Sequence, residues 1–340
     1  MNKQHMYTSF DDIPLDKIVT LLKSHKKEFL SGQQISTTLG LSRTAIWKYI
    51  KKLESLGYKI ESKKNSGYRL VTKSDLLLPW EITNGLRTEI IGNKIYYFDT
   101  IDSTQNFATE LTKKPHENGS IVIARTQTAG RGRLNRKWES PKGGIWLSVL
   151  LRSDFDISHV SLFSLATSLA LAIAIEKKFK IKPKLKWPND VTINNKKVAG
   201  ILIDASIETN KIDYLIAGIG INFKIEPKQV TKKITSKNTA RYGITTLIEK
   251  DQMSDPANFI QEFLYQLEVI HKKMITGAIK EIRKEWIKRS STIGKNVKVI
   301  TPTSTISGKA LSIDENGSLL ISTKNKIQRV VAGDITYNKN

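Results

Sequence analysis

SGQQISTTLGLSRTAIWKYIKKLESLGYKIESKKNSGYRL, residues 31–70, reads as two short helices followed by a hairpin. Ser31 with Gln34 three residues on is a capping-box start. The helix it opens runs to Leu39, where Gly40 can close it in the left-handed conformation. Ser42 caps the next helix, whose buried positions are Ile46, Ile50 and Leu53 at helical spacing. Its other face carries Arg43, Thr44, Trp47, Lys48, Lys51 and Lys52, and Gly57 ends it. Alternating residues 58–61 and 68–70 flank the turn Lys63-Lys64-Asn65-Ser66-Gly67, which makes a two-stranded wing with a basic tip. Upstream, residues 14–26 add a helix with Ile18, Leu21 and Leu22 on one face. The whole is a winged helix-turn-helix. Nine basic and two acidic residues between 41 and 73 concentrate charge where helix and wing would meet phosphates. The expected DNA-contacting set is Ser31, Ser42, Arg43, Thr44, Trp47, Lys48, Lys51, Lys63 and Lys64.

The full chain is 340 residues, long enough for two or three domains. Hydrophobic residues at 39% and charged residues at 26% fit a folded protein with a core. The formal charge of +23 favours a polyanionic partner. There is no cysteine, so disulfides, thiolate-held metals and a thiol nucleophile are excluded. The five histidines are scattered without metal-ligand spacing. The N-terminus is polar, and the apolar stretch 160–175 is too short and too rich in hydroxyls to span a bilayer comfortably. We read it as a helix buried against a sheet, in a cytoplasmic protein with no membrane partner.

The wing pattern breaks at residues 74–80, where the linker is placed. Strands are expected at 95–98, 121–124, 145–151, 190–193, 198–207 and 212–223. Helices are expected from Ser103, over 160–179, and through 256–290. Hairpins join most strands, so the central region is an α+β layer domain. Four short alternating runs after residue 296 suggest a small SH3-like β-barrel. The fold class is therefore α+β multidomain: a winged helix-turn-helix over 1–75, a mixed α/β domain over 76–290, and a C-terminal barrel over 291–340.

Between two strands lies QTAGRGRLNRKWESPKGG, residues 127–144, a loop without apolar period. Its arginines on a glycine-bearing backbone can fold round a polyphosphate. An exposed RNA-binding patch fits the same residues equally well. It is not a dinucleotide fingerprint, since no third glycine or helix follows, and no GxxxxGK[ST] occurs in the chain. A second basic stretch, 224–241, is either a cover for a nucleotide or a solvated linker.

GRGRLNRKW at 130–138 resembles the GRGRxxRxW signature of biotin–protein ligases. KWPND at 186–190, KVAGIL at 197–202, GIGIN at 218–222 and DST at 102–104 are similar to the other motifs of that family, in family order. With the winged helix in front, the chain resembles the bifunctional type, a biotin ligase that is also the biotin operon repressor. The resemblance implies ATP-dependent attachment of biotin, through biotinyl-5′-AMP, to a lysine of a biotin carboxyl carrier protein. It implies Mg²⁺ as a helper and biotinyl-AMP as corepressor on operator DNA. A palindromic operator needs two winged helices, so a ligand-promoted homodimer follows, with the segment 203–209 as a candidate contact. The catalytic residues it implies are Arg131, Arg133, Lys186 and Lys197. The implied biotin contacts are Ser103, Thr104, Gln105, Gln127, Arg131, Gly132, Arg133 and Lys197. Arg136, Trp138, Asn189, Gly220 and Asn222 form the implied nucleotide side, and Asp190 is the candidate metal ligand.

Overall fold

The computed structural model describes residues 6–8, 13–25, 28–113, 118–209, 211–226, 243–249, 252, 254–301 and 303–337. The chain enters through β1 (Met6–Thr8), which adds an edge strand to the central sheet rather than to the winged helix. Helices α1 (Ile13–Ser24), α2 (Gly32–Leu39) and α3 (Arg43–Ser55) then pack around Leu15, Ile18, Leu22, Ile35, Ile46, Ile50 and Leu53. Ser31 caps α2 with the full capping box, and Gly40 closes it at φ 66°. Ser42 accepts from the Ala45 N–H at 3.1 Å and starts α3. The wing is β2 (Lys59–Lys63) paired with β3 (Gly67–Thr72).

The expected linker is folded instead. Pro79–Thr83 forms the short helix α4, and Leu77, Leu78, Trp80 and Ile82 are buried. Four apolar residues in six positions are more than a solvated linker would carry, and burying them ties the winged helix to the next domain.

The central sheet has eight strands in the order β1-β4-β5-β6-β10-β9-β8-β7. They are β4 (Ile95–Ile101), β5 (Ile121–Gln127), β6 (Ile145–Leu151), β7 (Lys184–Lys186), β8 (Asp190–Ile193), β9 (Lys196–Glu208) and β10 (Lys211–Ile221). Only β4 and β5 run parallel, with α5 (Thr104–Leu111) as their crossover; the other pairs are antiparallel. Side chains alternate between two cores, as strand geometry requires. Ile95, Tyr97, Ile121 and Ile123 face the large core, whereas Tyr96, Phe98, Val122 and Ala124 face a smaller one under α5. The large core is roofed by α6 (Val160–Phe179) and α7 (Pro256–Ile275). Among the described residues, 157–179 is the one stretch long and apolar enough to cross a bilayer, and twelve of the α6 side chains are buried in the core.

The helical stretch expected over 256–290 is two helices. Gly277 at φ 76° breaks it, and α8 (Ile279–Arg289) starts afresh. The C-terminal region is a five-stranded antiparallel sheet: β11 (Asn296–Ile300), β12 (Thr305–Ile313), β13 (Leu319–Ser322), β14 (Ile327–Val330) and β15 (Asp334–Tyr337). Its order is β14-β13-β12-β11-β15, and no pairing among the described residues closes it into the expected barrel. The fifth strand follows Gly333 too closely and is too short to show an alternation of its own. The core of this sheet, Val297, Val299, Ile313 and Ile321, is continuous with the central core.

Candidate functional site

A cavity of about 430 Å³ opens over β9 and β10, beneath the Arg/Gly loop. Glycines make the floor. A Cβ on Gly220 would lie 2.5 Å from the Trp138 ring, and one on Gly200 would lie 2.9 Å from it. Trp138 therefore lies flat where only glycine permits it, edge-on to Trp146 with ring centroids 6.4 Å apart. A Cβ on Gly218 would meet the Gln105 amide at 2.5 Å.

One wall is a row of neutral polar groups. Ser103 caps α5 and brings Thr104 and Gln105 to the cavity. The Thr104 N–H donates to Gln127 Oε1 at 2.8 Å, and the Thr104 and Ser148 hydroxyls lie 2.9 Å apart. Ser148 donates to Gln105 Oε1 at 2.9 Å, and the Gln105 amide donates to the Ile216 carbonyl at 3.1 Å. Gln127 in turn donates to Ser140 at 2.8 Å. Such a fully connected row holds its lone pairs in fixed directions. Leu147, Ile201 and Ile219 supply apolar surface beside it.

The opposite wall is cationic, and each cation has an internal partner. Lys197 Nζ lies 2.5 Å from Asp190 Oδ1 and 5.0 Å from the Trp138 ring centroid. Arg131 pairs with Asp204 at 3.1 Å, and Arg136 pairs with Asp334. Arg133 donates to the Asn189 side chain at 3.4 Å, and Asn189 donates to the Ile201 carbonyl at 2.7 Å. Burial holds the Arg133 guanidinium below its usual range. Arg131, Gly132 and Arg133 enter a tight turn with Leu134 and Asn135 at φ 55° and 56°. Asn222 is buried and donates to the Lys197 carbonyl at 3.3 Å.

All the expected biotin and nucleotide residues line this cavity, and of the expected catalytic residues only Lys186 does not. Lys186, 9% exposed on β7, lines a neighbouring cavity of about 360 Å³ that shares Arg136, Asn189, Asp190, Lys197 and Asp334 with the first. Burial pushes its ammonium down to about 8, and the nearby Lys197 charge adds to the effect. Ser148, Asp204 and Asp334 are cavity or pairing residues that sequence reasoning missed. Ser148 sits inside an apolar strand, and Asp334 follows the signature loop by almost two hundred residues, so no local pattern marked either. No group of three or more acidic or histidine side chains that could hold a metal occurs among the described residues. The basic stretch 224–241 lies for the most part outside the described residues.

On the winged helix, Arg43, Thr44, Lys48, Lys51, Lys63 and Lys64 are exposed, and Trp47 is 52% exposed. Ser31 and Ser42 use their oxygens as helix caps. Lys51 pairs with Glu54 at 2.8 Å.

This combination defines a class: a mixed α/β domain with a polar-and-cationic cavity, carrying a helix-turn-helix in front. Residues 97–222 match the Biotin/lipoate A/B protein ligase family, 15–69 an HTH domain, and 292–336 the Biotin protein ligase C terminal domain. The bifunctional ligase/repressor BirA of Bacillus subtilis is 37% identical over 94% of this chain and 97% of its own length. That of Escherichia coli K12 is 30% identical over 95% and 97%. The structure of the Aquifex aeolicus biotin protein ligase in complex with biotin and ATP covers 72% of this chain and 99% of its own, with a TM-score of 0.59 and 29% identity. The chain belongs to the family of bifunctional biotin ligase/repressors.

Proposed function

We propose that this protein attaches biotin to a lysine of a biotin carboxyl carrier protein at the expense of ATP, and represses biotin genes when it holds biotinyl-5′-AMP. The observation that carries the reading is the single cavity that sets a connected amide and hydroxyl row against Arg131, Arg133 and Lys197. Biotin's ureido ring has two donors and one acceptor, which suits Ser103, Thr104 and Gln127. Gln105 acts by orienting Ser148. The valeryl chain lies along Leu147 and Ile219, and its carboxylate reaches Lys197 and the Arg131-Gly132-Arg133 turn.

In the first step a biotin carboxylate oxygen attacks the α-phosphorus of ATP. The bond from that phosphorus to the bridging oxygen breaks, and pyrophosphate leaves with the electron pair. In the second, a carrier lysine amine attacks the anhydride carbonyl, loses a proton, and AMP leaves. Neither step needs a protein nucleophile; both need fixed cations round the reacting oxygens. Lys197, Arg131 and Arg136 are already paired with carboxylates, which holds these cations in place before an anion arrives. Lys186 and Arg133 attend the phosphates. Arg136, Trp138, Asn189, Gly220 and Asn222 border the nucleotide. Asp190 is the residue that would hold Mg²⁺, whose charge would offset that of the phosphates.

The domain division at 75 and 290, the ligand-promoted dimer and a cytoplasmic site of action belong to the same reading. The DNA face is Arg43, Thr44, Trp47, Lys48, Lys51, Lys63 and Lys64, with Ser31 and Ser42 at the helix starts. Mass spectrometry after mixing protein, biotin, ATP and magnesium tests the first step. Biotinyl-AMP that requires both substrates supports it. Biotin binding without any adenylate would leave a sensor that does no chemistry.

A further inference from the structure

Lysines crowd one border of the ligase domain. From the last turn of α6 to the start of β7, residues 177–184 hold Lys177, Lys178, Lys180, Lys182 and Lys184 and no acidic residue. All of these lysines are exposed. Lys177 pairs with Glu262 at 3.0 Å, and Lys178 Nζ donates to the Asn258 side chain at 2.7 Å. Glu176, the acid next in sequence, is taken on both oxygens by Arg289 at 3.0 Å. Among the described residues no carboxylate pairs with Lys180, Lys182 or Lys184. A helix C-terminus favours cations, and lysines guard an end strand such as β7. Neither effect sets where this ridge lies. Its place is set by the anchor of the winged helix. Asn258 stands in the first turn of α7, and its N–H donates to the N-cap Asp255 at 3.1 Å. Asp255 pairs with Lys73, the residue after β3. The near end of the ridge therefore abuts the base of the wing.

We propose that residues 177–184 form a second DNA contact, on the ligase domain, which takes the sugar-phosphate backbone flanking the operator. The inference rests on the operator-binding reading of the winged helix. The wing strand β2 spans five residues, so the tip at Lys63 and Lys64 stands about 17 Å beyond the base. One turn of duplex is about 34 Å long, twice that reach, so DNA seated on α3 and the wing tip runs on past the wing base and its neighbouring lysines. Lysine ammoniums meet phosphate oxygens as point charges and read no base, so the ridge adds affinity and fixes the path of the duplex without adding sequence preference. The Lys23–Glu81 pair and the Gln261 bonds to residues 81–84 hold the winged helix against α7, which keeps the two contacts in one frame.

The probe is a duplex selected from a random pool by the full chain with biotinyl-AMP. It is made in two lengths, the protected core alone and the core with about 15 base pairs, one and a half turns, added on each side. The parent should bind the longer duplex more tightly. Lys180→Gln, Lys182→Gln and Lys184→Gln together should weaken binding of the longer duplex at least about tenfold and lower its log–log salt slope by about 1 for each lysine engaged. Binding of the core duplex and biotinyl-AMP synthesis should not move, and the three lysines changed to arginine should restore the parent's behaviour. Equal parent affinity for the two lengths, or a glutamine variant with the parent's affinity and salt slope, would overturn the proposal. Unmoved DNA binding with slower biotin transfer to a carrier domain would also overturn it, and would assign the ridge to the acceptor protein. A chain that selects no duplex would sink the repressor reading. Binding to an unselected duplex of the longer length, weakened in the glutamine variant, would still leave the ridge contact standing.

Discussion

Lys186 is a cation kept where water is scarce, and burial lowers its pKa to about 8. A lowered lysine loses its proton as pH rises through that value, and with it the charge we propose to meet the phosphates. The kcat/KM for ATP reports the free protein, so it should fall above about pH 8 as one proton is lost. Lys186→Arg, which stays charged, should remove that fall. A flat profile from pH 7 to 9.5 in the parent would contradict the assignment. At this scale much of the site was legible. The arginine run, the KWPND lysine and the GIGIN strand all reach one pair of cavities. What was not legible were the partners, Ser148, Asp204 and Asp334. Each is an ordinary polar residue until the fold carries it across the sheet to a glutamine or an arginine. The glycine floor shows the same limit. Gly200 and Gly220 stand in readable motifs, but their purpose, room for the Trp138 ring, exists only after β9 and β10 pair.

Among the elements, the winged helix follows local chemistry closely, because caps and apolar spacing act within a few residues. Ser42→Ala removes the α3 cap at 3.1 Å and should cost about 1 kcal/mol, local to this module. Faster amide exchange at the start of α3, with unchanged exchange in the central sheet, checks it. Elements set by long-range packing were read less well. The segment 77–83 is apolar enough to fold, but it does so against distant elements such as α7, where the Gln261 amide donates to the carbonyls of Glu81, Ile82 and Asn84. The helix over 256–290 breaks at Gly277, whose positive φ a periodicity argument does not register. Strand β15 exists because β11 offers it an edge.

In the whole molecule, carboxylates join the DNA-binding module to the ligase domain. Glu81, buried in α4, takes Lys23 Nζ at 2.8 Å on both oxygens and the Tyr58 hydroxyl at 2.5 Å, and Tyr58 accepts from the Trp80 indole at 2.7 Å. Lys73 pairs with Asp255 beside it. Glu81→Gln removes the charge that answers half-buried Lys23 and should lower stability on the order of 2 kcal/mol, seen as an earlier thermal transition of the winged helix. Biotinyl-AMP synthesis should persist, since Glu81 lines neither cavity. A palindromic operator needs two modules at fixed spacing, so sedimentation should show mass doubling with biotinyl-AMP and not with biotin-free buffer. The central claim, that these cavities make and transfer an activated biotin, is tested most directly on the acceptor. The measurement is the intact mass of a biotin carboxyl carrier domain after incubation with the protein, biotin, ATP and magnesium. The expected result is one added biotinyl group on a single lysine, only when biotin and ATP are both present. An acceptor whose mass does not change would contradict the claim.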